Sequence, residues 1–164
     1  MAESYNWRVA YKLESYISKS DTIEKCFSKR SVEEIIASLE QELSVDPKEW
    51  IVSAIKAMKT ASPTNLKIFL KSIRQGRNQT YKECIQREYI MFSHAMRRTV
   101  TNDGVAAKLI DKTGSPKWDP STLAQVTNEM VNKCFQEIED EDWPCLNLPS
   151  KKKFISTTLL PARL

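Results

Sequence analysis

The stretch SVEEIIASLEQEL, residues 31–43, decides the fold class. Its first four residues form a capping box: the Ser31 hydroxyl can accept the third helical amide while Glu34 reaches back toward the residues before the helix. Behind that box, Val32, Ile35, Ile36, Leu39 and Leu43 recur three or four residues apart, which draws one apolar stripe along a helix. A strand would alternate instead, and no segment of the chain does so convincingly.

The same signals recur on either side. Asp46-Pro47-Lys48-Glu49 reads as a cap with proline at the first helical position, followed by Trp50, Ile51, Ala54, Ile55 and Met58 as a buried face. Ser62-Pro63 opens a third helix carrying Leu66, Phe69, Leu70 and Ile73, with Gly76 suited to its C-terminal cap. Thr80-Tyr81-Lys82-Glu83 is a second capping box, ahead of Cys84, Ile85, Tyr89, Phe92 and Met96. A further helix starts near Thr127, with Val131, Cys134, Phe135 and Ile138 inward, and Asp103 to Leu109 reads as a short one. The aromatics Trp50, Phe69, Phe92, Trp118 and Phe135 are expected to be core. The prediction is an all-α array of about five or six helices joined by short loops. Residues 1–20 are a helical lead-in of mixed period and residues 141–164 a tail. The helical region is 21–140.

The chain of 164 residues is long enough for one domain with a core. Its three glycines, Gly76, Gly104 and Gly114, stand far apart, which excludes a phosphate-cradling loop or a dinucleotide fingerprint. The net charge of +4 is spread over every segment, so no nucleic-acid partner is expected, and Lys151-Lys152-Lys153 reads as a solvated tail. No apolar run is long enough to span a membrane. Cys26, Cys84, Cys134 and Cys145 lack metal-ligand spacing, and the one histidine, His94, has no nucleophile beside it, so neither a zinc site nor a general base is expected. The acidic run Glu137 to Asp142 lacks the glycine turn of a calcium loop. The residues themselves therefore give no catalytic residue, no metal site and no cofactor.

Several blocks, taken in order, carry more. CFSKRSVEEIIASLE (26–40), KTASPTNLKIFLKSIRQGR (59–77), ECIQREYIM (83–91) and LIDKTGSPKWDP (109–120) resemble the C-terminal region of 3-hydroxyisobutyryl-CoA hydrolases, over roughly residues 20 to 135. Those enzymes have the crotonase fold and hydrolyse a branched hydroxyacyl-CoA thioester in valine breakdown. The resemblance implies the helical C-terminal region of that fold, lacking the upstream β-rich core with its glycine-rich oxyanion loops and acid pair. It also implies that the Asp-Lys-x-x-x-Pro-Lys-Trp turn connects the last helices, with Trp118 sealing them. One departure is notable: the family's arginine-bearing stretch before that turn reads VTNDGVAA (100–107) here, with Ala106 where the arginine is usual.

The expectation that follows is a hydrolase-like chain that is not catalytic alone. It would take an acyl-CoA substrate only when completed by the missing half, and it would self-associate through the apolar surface that half leaves uncovered. A non-catalytic helical interaction protein of the same descent is the alternative. The terminal Ala162-Arg163-Leu164 resembles a peroxisomal address, a variant of Ser-Lys-Leu, which sets a peroxisomal expectation with the mitochondrion as the alternative.

Overall fold

In the computed structural model, the described residues are 19–97, 116–138 and 146–149. The lead-in, the short helix at Asp103 to Leu109, the VTNDGVAA departure, Cys145, the lysine run and the terminal tripeptide lie outside them. Among the described residues there are six α-helices and no strand. They are α1 (Ser20–Phe27), α2 (Val32–Val45), α3 (Glu49–Thr60), α4 (Pro63–Gly76), α5 (Tyr81–Arg97) and α6 (Asn128–Lys133), with a 3-10 turn at Leu123–Gln125 before α6. None is long and apolar enough to cross a membrane.

The capping signals act largely as written, with informative shifts. The Ser31 hydroxyl accepts the Glu34 amide at 3.1 Å, but Glu34 reaches back to the Arg30 amide, at 2.8 Å. At α5 the box is reciprocal: Thr80 Oγ1 accepts the Glu83 amide, and Glu83 Oε2 takes both the amide and the hydroxyl of Thr80 at 2.7 Å. Those two bonds hold the Glu83 carboxyl below its ordinary pKa. The α3 start differs from expectation. Asp46 caps nothing there; it pairs with Lys48 at 2.8 Å, and the helix opens at Glu49 without a side-chain cap. Gly76 also differs. It is the last residue of α4, and Arg77 after it stays right-handed at φ −61°, so no left-handed cap exists. Gly76 is small for another reason: a Cβ there would sit 3.4 Å from Arg87 Nη2 on α5.

Two apolar clusters result. The first gathers Cys26 of α1, Ile35 and Leu39 of α2, and Ile51 and Ile55 of α3, with Leu43, Trp50, Met58 and Leu70 packed against it. Cys26, Leu39 and Ile51 are fully buried. The helix α1 carries few apolar residues, yet its Cys26 is fully buried in this core. The second cluster joins Ile68 of α4 to Val126, Val131 and Cys134 around α6, with Met91 and Phe135 beside them.

Basic side chains of α4 stitch the two clusters together. Lys67 Nζ pairs with Glu33 at 2.9 Å and donates to the Val126 carbonyl at 3.2 Å. Lys71 Nζ donates to the Asn132 side-chain amide oxygen and lies 4.5 Å from the centre of the Phe135 ring. Arg74 donates to the carbonyls of Lys29 and Arg30 in the turn between α1 and α2. Trp118 is placed differently from what the resemblance implied. Its indole Nε1 donates to the Thr60 carbonyl at 3.0 Å, so it satisfies the open end of α3 rather than sealing the last helices.

Candidate functional site

The stripe on α4 is the point at which the fold departs most from the sequence pattern. Leu66, Phe69, Leu70 and Ile73 were expected inward. The residues of α4 that are buried are Pro63, Thr64, Ile68 and Ser72, and most of these lie on nearly the opposite side at 3.6 residues per turn. Leu70 is drawn into the first cluster, while Phe69 is left 57% exposed and Ile73 68%. On α5 the pattern repeats: Phe92 is 57% exposed, and Met96 one turn later is also exposed. Phe69 and Phe92 are thus corrected from core to surface. Trp50, Trp118 and Phe135 are half-buried. The reason is partnership: Ile68 packs with Val126, Val131 and Cys134 around α6, and nothing among the described residues covers the richer face.

Phe69 and Phe92 border one cleft of 330 Å³ between α4 and α5, floored by Ile68, Met91 and Cys134. Large hydrophobes left uncovered around a concavity mark an interaction surface rather than ordinary apolar scatter. Three polar groups enter the cleft, Asn65, Ser72 and Glu88. One carboxylate with no converging amide donors cannot both activate water and stabilise a thioester oxyanion.

His94 lies on α5, where its Nε2 donates to the Gln136 carbonyl at 2.9 Å and holds the chain after α6 against this helix. Gln86 holds the segment 146–149 in a similar way, through the Leu146 carbonyl at 3.2 Å. Cys26 and Cys134 are buried and Cys84 is half-buried. Among the described residues no three of His, Cys, Asp and Glu converge as metal ligands. The expected targeting residues Ala162, Arg163 and Leu164 lie outside the described residues.

Folding also gathers cations that the sequence spreads out. Arg30, Lys67, Lys71 and Arg74 border a cleft of 370 Å³, with Glu33 at its edge. Burial of the Glu33 carboxyl opposes its ionisation. The hydrogen bond from Lys67, its own backbone amide, the Lys67 charge and the Ser31 hydroxyl outweigh that and hold it below its ordinary pKa. Most of these cations are engaged by carbonyls or amides across the seam, so the cleft reads as a structural joint. Sequence reasoning missed both clefts because each depends on which helix faces meet.

Comparison with known proteins gives a consistent picture. A sequence model of the enoyl-CoA hydratase/isomerase family matches residues 2–135. Among curated proteins, the chain is 43% identical over 143 residues to 3-hydroxyisobutyryl-CoA hydrolase-like protein 5 of Arabidopsis thaliana, covering 85% of this chain and 37% of that protein. It is 42% identical over 138 residues to 3-hydroxyisobutyryl-CoA hydrolase-like protein 1, mitochondrial, of the same plant, covering 82% and 34%. It is 39% identical over 145 residues to the plant's small ribosomal subunit protein mS47, covering 85% and 35%. Among solved structures, a carnitinyl-CoA dehydratase from Mycobacterium thermoresistibile superposes with a TM-score of 0.66 at 27% identity, over 75% of this chain and 34% of that one. The chain spans little more than a third of the length of the relatives it matches. The helical crotonase expectation agrees with these matches. The peroxisomal expectation is corrected: a relative whose name states a compartment is mitochondrial. Three terminal residues are too short a pattern to stand against that.

Proposed function

The chain belongs to the enoyl-CoA hydratase/isomerase family, and from that premise we propose that it is the helical part of a 3-hydroxyisobutyryl-CoA hydrolase-like protein, inactive alone and completed by a β-rich half. The observation that supports this reading is the uncovered cleft of Phe69 and Phe92. Two helices turn their richer apolar faces outward, as an element does when its packing partner is elsewhere. The chemistry agrees. Thioester hydrolysis needs preorganised amide donors at the developing oxyanion and a carboxylate to manage water, and the sequence offers no glycine-rich loop to bring a backbone so close. In this reading the helices supply surface and positioning, the β-rich half supplies the reacting groups, and the substrate is an acyl-CoA of the valine-breakdown type.

The test is complementation. The 164-residue chain alone is expected to leave 3-hydroxyisobutyryl-CoA at its uncatalysed rate of hydrolysis. The chain mixed with the separately produced β-rich half of a hydrolase relative is expected to turn it over. Turnover by the chain alone, lost on a single substitution within it, would overturn the reading.

A second reading is favoured by one relative. Small ribosomal subunit protein mS47 carries, at 39% identity, the same helical region under the name of a ribosomal component. A family member used for assembly rather than hydrolysis would present the same apolar cleft to a different partner. Complementation separates the two readings, because an assembly protein need not restore turnover.

A further inference from the structure

Arg87 occupies a position unlike that of any other cation described in the fold. It lies on α5, is only 9% exposed, and has Nε and Nη1 buried without a hydrogen-bond partner. Its guanidinium rests against Gly76 at the C-terminal end of α4, where the helix dipole favours a positive charge. Yet no carbonyl or carboxylate among the described residues bonds to it. Glu83, one turn earlier on α5, is the natural counter-ion, but its Oε2 is taken by the amide and hydroxyl of Thr80. A second buried orphan, Gln79 Oε1, belongs to the same neighbourhood. Arg87, Gln79, Gln75, Gln86 and Phe135 line one cleft of 310 Å³, with Glu83 also on its wall. That volume is within the range of small-molecule sites, roughly 300–1,000 Å³. The cleft shares no lining residue with the one between Phe69 and Phe92.

A buried charge without a partner is an unfavourable arrangement, and an oxyanion relieves it. Guanidinium is a planar fork of donors that matches two oxygens of a carboxylate or phosphate at once. The side-chain amide of Gln79 can present either its oxygen or its nitrogen by a flip, so it can complete the ligand's hydrogen bonds. The Phe135 ring shields one side from water. We propose that this cleft binds a small oxyanion, the carboxylate or phosphate group of a small molecule, with Arg87 as its bidentate anchor and Gln79 as the second contact. Glu83, kept ionised by Thr80, confines the anion to the Arg87 end.

The test titrates the 164-residue chain with inorganic phosphate and, separately, with acetate. NMR follows the Arg87 Nε and Gln79 side-chain signals, and the thermal midpoint is read in parallel. A saturable shift of both signals with a rise in midpoint is expected, because a ligand that binds only the folded state stabilises it by mass action. Response to phosphate alone assigns a phosphate-bearing ligand, and response to acetate alone a carboxylate. Arg87→Met should fold at least as well without anion and lose the response. Arg87→Lys, which keeps the charge without the fork, should bind at least about tenfold more weakly. No saturable shift at Arg87 Nε in the unsubstituted chain would overturn the proposal, as would an undiminished response in Arg87→Lys. So would an anion-free spectrum showing Arg87 Nε already bonded to Gln79.

Discussion

The bundle α1–α3 and the pair α4–α5 are built from similar amphipathic sequence, yet one closes on itself and the other stays open. In the bundle, the stripe read along α2 meets Cys26 on one side and Ile51 and Ile55 on the other, so its strongest apolar positions become the most buried. In the pair, Phe69, Ile73 and Phe92 end outside, while Ile68 packs with Val126, Val131 and Cys134 around α6. The difference teaches that an apolar stripe predicts burial only in the presence of its partner. Where no partner lies among the described residues, as at Phe69 and Ile73, the stripe stays exposed.

Substitutions can break this contrast. The largest effect is expected at Leu39, fully buried in the closed core: Leu39→Ala should lose about 2–5 kcal/mol by chemical denaturation. Trp118→Phe should lose about 0.5–1.5 kcal/mol, since it removes the bond from the indole to the Thr60 carbonyl while keeping a ring. A loss near zero there would mean that the turn at 116–120 is not tied to α3.

A smaller effect comes from the seam between the two regions. Glu33 has its folded pKa lowered, so protons bind the unfolded chain first. Its contribution is complete above the ordinary glutamate value of 4.5 and is lost as pH falls through the folded value. Glu33→Gln should therefore cost well under about 1 kcal/mol at pH 7, as partly exposed pairs do, and nothing once both states are protonated. A difference that persists in strong acid would assign Glu33 a role other than this pair. The smallest effect on the isolated chain is expected at Phe69. Phe69→Ala should stay within about 0.5 kcal/mol, the range of ordinary surface changes, where a core phenylalanine would lose about 3–5 kcal/mol. A loss of the larger size would close the contrast and return Phe69 to a core.

How much of this was legible in advance follows the same divide. The capping boxes at Ser31 and Thr80 are local chemistry, decided within four residues, and they were readable. So were the α2 stripe and the all-α class, because Leu39 and its neighbours have their partners in the adjoining helices. The α4 face was misread because the choice between Phe69 and Ile68 rests on the residues around α6, more than fifty positions away. Arg87 was unreadable for a related reason. At four residues from Glu83 it has the spacing of a solvated ion pair. Only the approach of Gly76 and the capture of Glu83 by Thr80 turn it into a buried cation whose Nε and Nη1 have no partner among the described residues. The resemblance in the four quoted blocks supplied the family, which no single helix could.

The central claim is that the α4–α5 face is where the β-rich half docks. Hydrogen exchange on the 164-residue chain, measured with and without the separately produced β-rich half of a hydrolase relative, tests it most directly. The account predicts new protection along α4 and α5 around Phe69, Ile73, Phe92 and Met96, little change in α1–α3, and loss of the new protection in a Phe69→Asp, Phe92→Asp double variant that keeps its helical content. Protection confined to α1–α3, or binding that the double variant leaves intact, would contradict it.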